Sequence, residues 1–194
     1  MSIIKKKSPT DLEIHPLLAN RWSPRIFDPE STIAKEDLVA ILEAARVAPS
    51  AFNEQPWRYL VGLRSEETFT RILDGLSEFN REWCKNASAL LLVCAVTKRE
   101  NGNPIKTYKY DIGLSTSQAT FEAHSRGYFT HHLVGFDSAK LIEIFALGEL
   151  EPVVVIAIGK QGHIEGHSAE AVTRESSPST RKSLSEIILR GLDS

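Results

Sequence analysis

Cysteine is scarce in this chain of 194 residues, and neither sign of charge is in large excess. Its two cysteines, Cys84 and Cys94, form no C-x-x-C motif, and the apolar surroundings of Cys94 predict a buried free thiol. Such cysteine usage favours a reducing, cytoplasmic compartment. With a formal net charge of −2, the chain has no excess of positive charge to attract nucleic acid, so no nucleic-acid partner is expected.

Long apolar runs and nucleotide-binding loops are missing as well. The longest apolar run, 89–96, is too short to span a membrane, and no apolar segment follows the lysines of residues 1–7 as a secretory signal requires. The first β-to-α connection contains neither G-x-G-x-x-G nor a Walker-type lysine loop, which argues against a Rossmann or P-loop site. We see no repeat or domain boundary, and predict one domain over residues 1–194 with a flexible segment 1–14.

Hydrophobic periodicity predicts helices that alternate with strands. The clearest helix is Lys35–Ala48, where Leu38, Ile41 and Leu42 share one face. The other predicted helices are His15–Ala19, Glu66–Leu76, Asp111–Arg126, Ser138–Ala146 and Leu184–Leu189. The predicted strands are Arg58–Leu63, Ala89–Thr97, Tyr128–Thr130 and Pro152–Ile158. Loops are predicted at Lys98–Lys109, His131–Phe136 and Gly159–Thr180. This order favours an α+β or α/β sandwich with one core.

The ten residues Ala48–Trp57 hold two prolines, an asparagine and a glutamine. The first proline ends the preceding helix, and the second biases the glutamine before it toward extended geometry. The turn between them can present Ser50, Asn53 and Gln55 together. Amide groups that both donate and accept suit the edge of a flat heterocycle. An ordinary Asn/Pro turn would explain the same composition.

Basic and hydroxyl side chains alternate at Arg21, Ser23 and Arg25. In an extended chain these three side chains lie on one side. Two guanidiniums and a hydroxyl on one side can bind a phosphate or a carboxylate. A solvated basic segment is the alternative interpretation.

Four motifs follow one another along the chain. They are R-x-S-x-R-x-F at 21–27, A-P-S-x-x-N-x-Q-P-W at 48–57, G-F-D at 135–137, and E-P at 151–152 before a Val/Ile strand. From about His15 to about Ile188 the chain resembles the nitroreductase family of FMN-dependent oxidoreductases. The resemblance implies an α+β fold with a mixed, mainly antiparallel sheet flanked by helices. It also implies an intertwined homodimer with FMN at the interface.

The resemblance further implies which residues bind FMN. The arginine segment would hold the phosphate and the pyrimidine edge, with Arg181 or its neighbour Lys182 as a second clamp. The turn of the opposite subunit would pack on the isoalloxazine, and Asn80, in a predicted polar connection, would hydrogen-bond the flavin. The implied cofactor-binding residues are Arg21, Ser23, Arg25, Pro49, Ser50, Ala51, Asn53, Gln55, Asn80, Leu133, Val134, Gly135 and Arg181.

The loop before G-F-D departs from the family, which often has Pro-Ile-Glu-Gly where this chain reads His131-His132-Leu133-Val134. A backbone N–H donor to the flavin survives that change and would stabilise negative charge on the reduced ring. No catalytic side chain is then required, because flavin N5 carries the hydride.

The resemblance implies hydride transfer from NADH or NADPH through the flavin to a small-molecule acceptor, in a ping-pong cycle. With only about a dozen residues in the loop before Asp111 there is little chain to build a lid, so an open pocket and poor selectivity among quinones and nitroaromatics are expected. The predicted pocket lining is Phe52, Tyr108, His131 and His132. The alternatives are a flavin-storage protein and a relative with another flavin reaction, such as dehalogenation or azoline oxidation.

Two histidine pairs could suggest a metal site. His131 and His132 are adjacent, so in an extended chain they point in opposite directions. His163 and His167 have zinc-like spacing, but no third ligand is near them in sequence. We therefore expect no metal.

Overall fold

The computed structural model describes residues 2–191. Met1 and residues 192–194, which the single-domain prediction includes, lie outside this range. The α-helices are α1 (Pro16–Ala19), α2 (Lys35–Arg46), α3 (Glu67–Asp74), α4 (Glu78–Cys84), α5 (Tyr108–Ser125), α6 (Ser138–Phe145), α7 (Ala169–Ser176) and α8 (Leu184–Ile187). The strands are β1 (Trp57–Leu63), β2 (Ala89–Ala95), β3 (Phe129–Leu133) and β4 (Glu151–Gly159), and Ala51–Asn53 form one turn of 3-10 helix. Within the described range no helix is both long and apolar enough to cross a bilayer.

The four strands form one sheet in the order β1-β2-β4-β3. Every residue of β2 is buried, as its continuous apolar run predicts for a strand covered on both faces. The predicted α+β class is confirmed, but all three strand pairings are antiparallel, so the strands of residues 2–191 include no parallel pair of a mixed sheet. Strands β1 and β3 are the two edges of the sheet.

The helices cover the two faces of the sheet and create two apolar cores. On one face α2 and α5 contribute Ile41, Ala45 and Ile112 to the first core. On the other face α3 and α6 contribute Ile72 and Leu141 to the second. Helix α5 is central in this arrangement, and its small buried side chains let it pack closely against α2.

Two predicted loops contain regular structure. His131–Leu133 belong to β3, because their backbone pairs with Ala157–Val155 of β4. The segment 159–180 contains α7, whose N-terminus is capped by Ser168, the acceptor for the Ala171 N–H. The apolar periodicity of α7 is too weak for sequence to show a helix, and its buried residue is the charged Glu175.

Asn80 also lies elsewhere than predicted. It is inside α4 and not in a polar connection. The helix forms because Trp83 and Cys84, three and four residues further on, are buried against the second core. Helix α5 begins at Tyr108, three residues earlier than predicted. Both cysteines are free and buried, as predicted for Cys94.

Candidate functional site

The arginine segment is extended and lies beside β3. Trp22 and Ile26 are buried, whereas Arg21, Ser23 and Arg25 stay partly exposed on the opposite side. The predicted alternation is therefore confirmed. Backbone contacts with the chain that follows β4 hold the segment in place, among them the Gly162 N–H donating to Ile26 O at 2.9 Å.

His131 attaches this segment to the sheet. Its Nδ1 lies 3.0 Å from the Pro24 carbonyl oxygen, and because a carbonyl only accepts, Nδ1 carries the proton. The ring packs on Trp83 with a centroid distance of 4.6 Å. Burial, reinforced by the nearby Arg25 charge, lowers the pKa of His131 to about 4. His131 thus lies in the second core, away from the exposed surface on which a substrate would bind.

Arg21 and Arg181 are near enough to interact electrostatically, although 160 residues separate them in sequence. Burial and the Arg181 charge lower the pKa of Arg21 below its usual value. Within residues 2–191 neither guanidinium forms an ion pair with a carboxylate; Arg21 donates to Ser23 Oγ at 3.3 Å and Arg181 to a backbone oxygen. Two guanidiniums without a carboxylate partner in the described chain have the chemistry to bind an anion.

Glu175, which sequence reasoning missed, fixes the position of Arg25. Its Oε1 accepts the Arg25 backbone N–H at 3.0 Å, and the residue is only 3% exposed. Burial raises the pKa of Glu175, although Lys6 and Arg25 oppose the rise. Glu175 Oε2 and Arg25 Nε are both buried without a hydrogen-bond partner within the described chain. Helix α7 therefore anchors the arginine segment.

The segment after β3 presents backbone donors. Asn80 Nδ2 donates to Gly135 O at 3.1 Å, and Trp83 Nε1 donates to Asn80 Oδ1 at 3.2 Å. A Cβ on Gly135 would stand 2.3 Å from Asn80 Nδ2, so this close approach requires glycine. Among residues 2–191 no acceptor pairs with the N–H of Val134 or Gly135. Leu133 is buried and Val134 is exposed.

The turn at 50–55 is strained and exposed. Phe52, Asn53 and Gln55 have φ of 53°, 57° and 45°, values in the left-handed region that favours glycine. Ser50 Oγ accepts the Gln55 N–H at 3.0 Å and closes the turn. Phe52 is 90% exposed. Strain in an exposed turn is typical of a binding segment.

Asp111 supports this turn and was also missed by sequence reasoning. It is 1% exposed, and its carboxylate accepts the Ala51 N–H at 3.2 Å and the Thr107 hydroxyl at 2.9 Å. Sequence offers only a weak signal for it, an acidic residue near the start of a helix.

The predicted pocket residues form two separate groups. Phe52 and Tyr108 lie where the turn meets the start of α5, and Tyr108 donates to Glu151 Oε2 at 2.7 Å. His131 and His132 lie on β3 at one edge of the sheet, whereas the turn leads directly into β1 at the other edge. No hydrogen bond or ring contact within residues 2–191 joins the turn to the arginine segment. One protomer therefore does not bring the two halves of the predicted site together.

Cavities and metal-binding groups add little to this site. A cavity of about 870 Å³ lies between the two terminal segments and is lined by Arg181. Another, of about 770 Å³, lies on the outer side of α2, far from the arginine segment. Residues 2–191 contain no cluster of three or more His, Cys, Asp or Glu side chains that could hold a metal ion.

Comparisons with known proteins identify the family and the fold. A model of the nitroreductase family matches residues 18–92. An uncharacterized 15.4 kDa protein of Mycolicibacterium smegmatis is 32% identical over 145 residues, which are 69% of this chain and 95% of that protein. An oxygen-insensitive NADPH nitroreductase of Helicobacter acinonychis is 35% identical over 138 residues, 69% of this chain and 65% of that protein. The crystal structure of an oxidoreductase containing FMN is 32% identical with a TM-score of 0.88, and the match covers 95% of this chain and 94% of that one.

The fold and these relatives identify a flavin oxidoreductase. The chain belongs to the nitroreductase family.

Proposed function

We propose that this NAD(P)H-dependent flavin oxidoreductase, with FMN as its cofactor, reduces nitroaromatic or quinone-like acceptors in a ping-pong cycle. Bound FMN supplies the chemistry by accepting a hydride from NAD(P)H and delivering it to the acceptor. The observation that carries the proposal is the extended arginine segment, in which Arg21, Ser23 and Arg25 stay partly exposed on one side, with Arg181 near enough to lower the pKa of Arg21. Their chemistry fits the phosphate of FMN.

The other proposed contacts to FMN come from residues of the arginine segment and of the segment after β3. Ser23 lies beside Arg21, and Glu175 holds the backbone of Arg25, so the arginine segment is positioned before any ligand binds. The unpaired N–H groups of Val134 and Gly135 suit an acceptor edge of the isoalloxazine, where they would stabilise negative charge. Asn80 fixes these donors through Gly135 O.

The turn at 50–55 completes the site from a second copy of the chain. In one protomer it lies at the edge of the sheet opposite to the arginine segment. Its predicted contacts with the isoalloxazine come from Pro49, Ser50, Ala51 and Asn53, with Gln55 supporting the turn. A homodimer is further supported by exposed apolar side chains near both termini, which are Leu12, Ile14, Leu18, Leu184, Ile187 and Leu189.

A mixed dimer tests this division of the site. We expect the homodimers of Arg21→Ala and of Ala51→Trp to bind FMN weakly, because each loses one half of both sites. A heterodimer of the two variants, isolated with two different tags, has one site with both defects and one intact site. It should therefore recover about half of the wild-type FMN content with wild-type affinity. A heterodimer without an intact site, or a wild-type monomer by sedimentation that holds FMN, would refute the split site.

The acceptor side of the site is open. The connection between β2 and α5 is a short loop, in which Lys98 and Pro104 form an isolated antiparallel β-bridge. Phe52 is exposed, and Tyr108 on the same side is partly buried. Few buried polar groups would be left unpaired by a wrong acceptor, so the pocket should discriminate weakly.

Anaerobic stopped-flow mixing tests the proposed reaction. NADH or NADPH should bleach the flavin absorbance of the FMN-loaded protein, and several unrelated quinones and nitroarenes should restore it. Across such a panel kcat/KM should vary modestly. Bleaching that no acceptor of the panel reverses would point to another flavin reaction, and flavin binding without bleaching would point to storage. A preference of several orders of magnitude for one acceptor would contradict the open pocket.

A further inference from the structure

We propose that His132 binds FMN as a neutral hydrogen-bond acceptor through Nδ1, because a chain of hydroxyl groups on α5 keeps its proton on Nε2. The cofactor role rests on the proposed function, whereas the position of the proton depends only on this chain. The proposal assigns His132 to the sugar-like part of the cofactor and not to the acceptor substrate.

The geometry begins with the alternation of side chains along β3. Thr130 and His132 lie on the face of the sheet that packs on α5, and His131 lies on the other. His132 Nε2 is 2.8 Å from Thr120 Oγ1, and Thr120 is 8% exposed. The residue His132 as a whole is exposed, so its ring has one end inside the fold and one end outside.

Counting donors assigns the proton. A threonine hydroxyl has one proton and two acceptor lone pairs. The Thr120 hydroxyl donates to the Thr116 carbonyl oxygen at 2.9 Å and accepts from the Thr130 hydroxyl at 3.4 Å. Its remaining lone pair faces His132 Nε2, which therefore donates. The same pattern occurs one turn earlier, where the Thr116 hydroxyl donates to Ile112 O at 2.9 Å.

Burial and the surrounding charges favour the same neutral tautomer of His132, with the proton on Nε2. Desolvation of the inner end of the ring, together with His131 and Arg21, lowers the pKa of His132 to about 4. The ring is therefore neutral at pH 7. With the proton on Nε2, Nδ1 carries a lone pair, and a lone pair is more favourable than an N–H near the Arg21 cation. Nδ1 has no hydrogen-bond partner among residues 2–191.

Arg21, the residue proposed to bind the phosphate, is near enough to lower the pKa of His132, and the free acceptor Nδ1 suits a hydroxyl donor of the same ligand. The chain that joins the phosphate of FMN to its ring carries hydroxyl groups, which can donate to Nδ1. The oxygens of a nitro group or a quinone only accept, so a neutral Nδ1 cannot hydrogen-bond them. The predicted pocket lining would then lose His132 as a contact to the acceptor.

The tautomer can be read directly by 15N–1H correlation NMR on the FMN-free protein at pH 7. The His132 signal, identified by its loss in His132→Asn, should show the pattern of an Nε2–H ring. Thr120→Val should convert it to a mixture of tautomers, whereas Thr120→Ser should retain it. An Nδ1–H or a charged ring in the wild-type protein would overturn the proposal.

Titration of the FMN-free protein with two flavins tests the cofactor role. His132→Leu should weaken FMN binding about two- to tenfold, the usual range for a neutral hydrogen bond. It should not change binding of an isoalloxazine whose phosphate is carried by a plain alkyl chain. His132→Asn, whose amide oxygen can take the place of Nδ1, should retain most of the affinity for FMN.

Equal weakening for both flavins in His132→Leu would overturn the hydroxyl contact. If the wild-type protein bound neither flavin, the proposed function and the cofactor role would both fail, while the NMR pattern would still decide where the proton lies. If the His132→Leu variant does not fold, Thr120→Val takes its place in the comparison. Lost affinity of Thr120→Val for FMN alone would support the contact, and unchanged affinity would refute the hydroxyl chain.

Discussion

Replacing Arg21 or Arg181 with alanine will weaken FMN binding by on the order of 1–3 kcal/mol, the scale for losing a charged hydrogen bond. The two guanidiniums lie close enough to lower the pKa of Arg21, and neither has a carboxylate partner within residues 2–191. A phosphate would neutralise both, so each variant loses a direct charged contact. Fluorescence titration of the FMN-free protein measures the loss.

Riboflavin and an unrelated arginine provide the controls. Riboflavin has no phosphate, so its affinity should change much less in both variants. Arg46→Ala removes an exposed arginine of α2 that pairs with Glu43 and should leave FMN affinity unchanged. Because Arg21 and Arg181 repel each other, the FMN-free Arg181→Ala protein should be no less stable than wild type. Equal losses for FMN and riboflavin would show that these arginines do not bind the phosphate.

Lowering the pH from 7 to 4 will destabilise the fold through His131. The pKa of this ring is about 4 in the folded protein, below the value of about 6.5 of an exposed histidine. The folded state therefore binds fewer protons, and the stabilisation is complete above about pH 6.5 and lost as the pH falls toward the folded-state pKa. The difference corresponds to on the order of 3 kcal/mol in the free energy of unfolding.

Urea unfolding at fixed protein concentration measures this dependence. Carboxylates also titrate at low pH, so the comparison is with His131→Asn, which keeps a donor near the Pro24 oxygen but cannot be charged. This variant should be less stable at pH 7, because it loses packing on Trp83, and should lose less stability on acidification. His132→Asn measures the share of the second histidine, whose pKa is also lowered in the folded protein. Parallel pH profiles for wild type and His131→Asn would exclude His131 as the source.

Local patterns in the sequence were sufficient to predict most helices and strands and the one-sided presentation of Arg21, Ser23 and Arg25. These features depend on periodicity, proline and alternation, which act over a few residues. The same is true of the turn at 50–55, whose prolines and amides mark it as unusual. Its left-handed residues, Phe52, Asn53 and Gln55, became visible only in the structure.

Only the tertiary structure decided which distant residues meet. Helix α7 brings the buried Glu175 to the backbone of Arg25, and the chain after it brings Arg181 to Arg21. The pairing of β3 with β4 turned a predicted loop into a strand, which placed His131 in the core and His132 against Thr120. None of these contacts has a local signature, because each depends on burial and charge balance between segments that are far apart in the chain.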